Sequence, residues 1–160
     1  MANDEERELW MPSLFLAYGQ AMYYASLLEK LLHAVDAERR RELIAQGFNL
    51  SRGLYGGSGN MADNIKKVVP HDAALAKKLE EAKDSRNHLA HNFWLDNAAN
   101  VYDRDNVVKL GESLVERTKV FKTLSRRVVL LLVDIGEKKG EVLTEGGRQN
   151  LDRMLAQLEG

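Results

Sequence analysis

The chain has 160 residues, of which 44% are hydrophobic and 29% charged, and its formal net charge is −1. This is the balance of an ordinary soluble globular domain long enough to bury a core, and near-neutrality excludes steering toward nucleic acid or anionic membrane by a whole-molecule field, leaving only local patches for such contacts. The absence of cysteine excludes disulfides, thiolate chemistry and cysteine-ligated metals.

The first ten residues, MANDEERELW, are acidic and lack the basic and apolar blocks of a signal peptide. The longest apolar run, Val128 to Val133, is far short of the roughly 20 residues of a membrane span. The expectation is a soluble, cytoplasmic protein without a membrane association.

Trp10, Leu14, Ala17, Ala21, Tyr24, Leu28, Leu31 and Val35 alternate by four and three residues, which predicts a long helix. Phe15, Tyr18, Met22, Ala25 and Leu32 form a second stripe beside the first, so this helix is covered on more than one side. Glu29 falls on the second stripe, either reaching solvent at its edge or buried against a partner. Asp36 is positioned to cap a separate short helix over Ala37 to Gln46, with Gly47 as its terminator. The triple Arg39-Arg40-Arg41 there reads as a solvated face.

Four glycines from Gly53 to Gly59 predict a loop. It has no Gly-Lys-Ser/Thr ending and follows no strand, so it is not a phosphate-binding P-loop. Asn60 to Val69 predicts another short helix, stopped by Pro70. Asp72 caps the next helix, which is expected to run to about Leu95, and the stretch from Asp96 to Asn106 connects it to the following one. The stripe Val107, Leu110, Leu114, Arg117, Phe121, Leu124, Val128, Leu131 and Ile135 predicts a second long helix ending near Gly140, with Arg117 interrupting it. Thr144 caps a last amphipathic segment that carries Leu151, Met154, Leu155 and Leu158. No segment alternates as a strand does. The expected fold is an all-α helical bundle in one domain over residues 1–160, with two long helices and three or four shorter ones; its long stripes also suit a helix-mediated dimer.

The helix after Asp72 contains RNHLAH, Arg86 to His91. Leu75, Leu79, Ala82, Ala90 and Phe93 project within about 40° of Arg86, which puts a guanidinium at the centre of an apolar face. Such a group cannot shed its proton, so it must be paired, face a wet cleft or lie at an interface. Asn87 and His91 are four apart on one ridge with Trp94 alongside, while His88 projects to the opposite, solvent side. Histidine can take or give a proton near neutrality and arginine presents a planar fork to phosphate. Together they suit metal-independent phosphodiester cleavage. The other reading of the same spacing is that Arg86 pairs with a core carboxylate such as Glu29, with His91 a surface histidine. No carboxylate pattern accompanies His88 and His91, so no metal and no cofactor is expected.

RNHLAH resembles the signature of HEPN domains: an arginine, four to six residues, then histidine, with a polar residue directly after the arginine, here Asn87. The resemblance implies an all-α domain and a metal-independent endoribonuclease, often a toxin or anti-phage effector under the control of an antitoxin or regulatory protein. It implies a homodimer whose motif helices meet to form one composite site on an RNA substrate. Arg86 would then face phosphate, His91 would be the acid-base group and Asn87 their polar partner. In the branch paired with a nucleotidyltransferase antitoxin, a tyrosine two residues after the histidine is modified. Phe93 stands there in this chain, so the resemblance does not extend to that form of control. Other members of the family are non-catalytic modules that bind a partner protein or nucleotide. The doublets Lys66-Lys67, Lys77-Lys78 and Arg126-Arg127 are the candidates for a local basic patch on RNA.

Overall fold

The computed structural model describes residues 4–45 and 72–159. These form five α-helices: α1 (Asp4–Ala45), α2 (Ala73–His91), α3 (Phe93–Asp96), α4 (Arg104–Lys138) and α5 (Glu145–Gln157), with a single 3-10 turn at Asn100–Tyr102. No strand occurs among the described residues, so the chain is all-α. Nor, among them, is any helix long and apolar enough to cross a membrane. The expected helix over Asn60 to Val69 and the Gly53–Gly59 loop lie outside the described residues, as does Lys66-Lys67.

The two long helices form the frame. α1 has 42 residues and α4 has 35, about 63 and 52 Å at 1.5 Å per residue. The predicted stripes are the buried ones: Leu14, Ala21, Ala25, Leu28, Leu32 and Val35 on α1 face Val107, Leu114, Phe121, Leu124 and Val128 of α4 in one core. The ammonium of Lys122 lies 5.5 Å from the centre of the Tyr24 ring, and Lys139 Nζ is 3.0 Å from Glu38 Oε2. The two helices therefore run parallel. Their heptad series, 14, 21, 28, 35 and 107, 114, 121, 128, resemble the seam of a coiled coil. Counting from the Tyr24–Lys122 contact brings Ala21 level with Phe121, a small residue where the partner helix is bulkiest. The hydrogen bond from Lys139 holds the Glu38 carboxyl below the usual carboxylate range, against a smaller opposing effect of burial.

Asp36 does not cap a new helix. α1 continues through it to Ala45, because the buried stripe reaches Val35 and nothing beyond it in the described part forces the backbone out of helical geometry. Asp72 does cap α2, its Oδ1 accepting from the Leu75 N–H at 2.8 Å. α2 runs antiparallel to both long helices: Arg127 reaches back to Asp72 at 3.1 Å, while the far end of α2 lies beside Tyr18. Leu75, Leu79, Ala82 and Leu89 fill the crease between α1 and α4.

The helix predicted to reach Leu95 instead breaks at Asn92, whose N–H bonds to the His88 carbonyl at 2.9 Å. The asparagine-rich connection then closes on itself. Asn97 Nδ2 donates to the Phe93 carbonyl at 2.7 Å and Asn100 Nδ2 to Asn97 Oδ1 at 3.2 Å, side-chain bonds that compete with helix continuation. Asp103 caps α4 through the Asn106 N–H at 2.9 Å. α4 ends in a Schellman turn at Gly140, whose φ of +75° suits glycine: Gly140 N–H bonds Glu137 O and Glu141 N–H bonds Gly136 O. Thr144 caps α5 through the Gly147 N–H at 3.1 Å. Lys122 then anchors the end of that segment at the Glu159 carbonyl, 2.8 Å away.

Candidate functional site

Arg86 lies on α2 at the edge that meets α1, within the arc of buried positions. Its NH2 is 2.8 Å from Glu29 Oε2, and the two side chains are 25% and 23% exposed. Its NH1 donates to Asn87 Oδ1 at 3.0 Å. A guanidinium has five N–H donors, so these two bonds leave three without a described partner. Glu29 is thus a paired, half-buried carboxylate.

Asn87 is spent on Arg86 and does not orient His91. His91 is exposed on the last turn of α2 and has no hydrogen bond or ion pair among the described residues. Ala90, expected on the apolar face, is also exposed. The structure therefore brings Arg86, Asn87 and Glu29 together and leaves His91 one turn further along, open to solvent. Trp94 departs from the ridge because the helix breaks at Asn92. It stacks among Phe15 at 5.2 Å, Tyr18 at 5.0 Å and Phe93 at 5.0 Å. Tyr18 ties this aromatic group to α2 through its hydroxyl, which donates to the Leu89 carbonyl at 3.0 Å. Phe15 and Leu95 remain exposed at the rim.

His88 is not the simple solvent-facing residue that its projection suggests. Nε2 lies 3.1 Å from Asp96 Oδ2 and Nδ1 lies 3.0 Å from Arg117 NH1. Arginine only donates, so Nδ1 accepts, and the ring proton sits on Nε2 and donates to Asp96. The helix break folds Asp96 back beside His88, and α4 covers the face that a free helix would expose. Arg117, the charge that interrupts the α4 stripe, points into the α2–α4 groove. Among the described residues it has no carboxylate partner. Burial pulls its guanidinium below the ordinary arginine value, and it remains charged at neutral pH. The Asp96–His88–Arg117 chain escaped sequence reading. Its one signal was the interrupted stripe.

No group of three or more His, Asp or Glu side chains is gathered for a metal ion among the described residues. Comparison with known protein families, with curated proteins and with solved structures gave no match.

Proposed function

We propose that the α1–α2 face is the site of a HEPN-type, metal-independent endoribonuclease that works as a homodimer on an RNA substrate. The observation that supports it is the placement of one arginine and one histidine on adjoining turns of α2: Arg86 held in orientation by Glu29 and Asn87, His91 free and solvent-open. In this reading Arg86 offers its remaining N–H donors to a phosphate and offsets charge that develops on phosphorus. His91 takes the proton from a ribose 2′-hydroxyl as that oxygen bonds to phosphorus. The histidine of a second copy returns a proton to the 5′-oxygen as its bond to phosphorus breaks, leaving a 2′,3′-cyclic phosphate. Exposed Phe15 and Leu95 supply apolar surface next to the site for a second chain. A place in a toxin or phage-defence system, and control by an antitoxin or regulatory protein, follow from the family resemblance.

One observation favours a second reading. The Arg86–Glu29 ion pair satisfies the charge inside one chain, as it would in a non-catalytic helical module in which Arg86 fastens α2 to α1 and the surface binds a partner.

The deciding experiment incubates the full chain with single-stranded RNA in excess chelator and maps the ends produced. The ribonuclease reading expects cyclic phosphate ends, and loss of cutting by about 10²–10⁴-fold in His91→Ala, with an unchanged helical spectrum because His91 is exposed. Cutting that survives this substitution removes His91 from the mechanism. Absence of cutting by the unmodified chain, with dimerisation or stability lost in Arg86→Ala, establishes the binding module.

A further inference from the structure

The groove between α2 and α4 is separate from the α1–α2 face. It encloses about 580 Å³ and is lined by Ala82 and Ser85 of α2 and by Ser113, Arg117, Val120 and Leu124 of α4, among others. That volume is in the range that holds small organic ligands.

Its charges are unevenly satisfied. Lys119 is bonded to Glu116 at 2.7 Å and Glu81 leans toward Lys77 at 3.9 Å. Lys78 and Arg117, which also line the groove, have no carboxylate partner among the described residues. The hydroxyls of Ser85 and Ser113 have no described hydrogen-bond partner either. Arg117 is aimed rather than loose: Asp96 holds the His88 ring, and Nδ1 of that ring takes one guanidinium N–H at 3.0 Å. Four of its five N–H donors stay available, in a half-buried setting where an arginine without a counter-charge is costly and a bound anion removes that cost. Val120 and Leu124 give the groove an apolar floor for an organic body.

We propose that this groove binds a small phosphomonoester, whose phosphate sits on the Arg117 fork with Lys78 and the two serine hydroxyls as further donors. His88 is a positioning residue for Arg117.

Amide NMR titration of the full chain with adenosine monophosphate, and separately with inorganic phosphate and acetate, tests it. Expected are saturable shifts at Ser85, Ser113 and Arg117 with the two phosphate ligands, and weaker ones with acetate. Losing the charge-assisted bonds of Arg117 in Arg117→Gln weakens binding by at least about tenfold, and Lys78→Gln, at an exposed position, weakens it several-fold. Arg86→Gln leaves the affinity unchanged, so failure of this site and failure of the ribonuclease site are read separately. If Arg117→Gln does not keep the native amide pattern, Lys78→Gln decides alone. Absence of saturation at millimolar ligand, unchanged affinity in the groove variants, or shifts that gather around Arg86 overturns the proposal. So does binding of an oligonucleotide in this groove without binding of the monophosphate, which would make its ligand an RNA chain.

Discussion

Whether Arg86 fastens two helices is measurable independently of any activity. At 2.8 Å, with both side chains about three-quarters covered, the Arg86–Glu29 pair lies between a surface ion pair and a buried one. Two unit charges at about 4 Å attract by roughly 4 kcal/mol at an effective dielectric constant near 20. Desolvation and side-chain ordering take back part of that, leaving the roughly 1.5–3 kcal/mol net of a charge-assisted hydrogen bond. Arg86→Ala is therefore expected to lose about 2 kcal/mol, or about 4–8 °C in melting temperature for a domain of this size. Removing arginine also removes the packing of its stem, so the single variant does not isolate the pair. The double-mutant cycle with Glu29→Gln does, and its expected coupling is about 1–2 kcal/mol. The assay is urea unfolding followed by helical circular dichroism at one fixed protein concentration, because a dimer's stability depends on concentration. Coupling below about 0.5 kcal/mol, the level of an exposed pair, would refute the reasoning that this ion pair holds α2 against α1.

Two further substitutions probe the frame. Tyr18→Phe removes the hydroxyl that donates to the Leu89 carbonyl and is expected to lose about 1 kcal/mol while leaving the aromatic group around Trp94 in place; a tryptophan emission spectrum checks the second part. Ser125→Ala is expected to be neutral or stabilising by up to about 1 kcal/mol, because the fully buried Ser125 Oγ has no described partner and alanine removes a desolvated polar group and is the better helix former. A clear loss of stability on thermal melting would show that this hydroxyl has a partner.

The frame was legible in the sequence because its causes are local. A heptad of apolar residues from Val107 to Val128 buries one side of a helix whatever lies opposite, and Asp72 and Thr144 cap because each can reach an N–H three residues ahead. The same locality placed Arg86 on the buried side of α2 and offered Glu29 as a partner. Projection failed where it assumed an unbroken helix. The break at Asn92 takes Trp94 away from His91 and returns Asp96 to His88, and it depends on asparagine side chains bonding to backbone groups several residues away.

What the sequence determined by itself is the helical character of the described chain, the seam between its two long helices and the unusual charge at Arg86. Only the tertiary structure decided which groups face one another: Asn87 toward Arg86 rather than His91, and His88 toward Arg117 rather than solvent. Periodicity states which side of a helix is covered, because covering follows from one element's own apolar pattern. It does not state by what, because the partner depends on where neighbouring helices end and at what level they cross. That is why RNHLAH could be read as a motif from its residues alone, while the setting of its first histidine required α4.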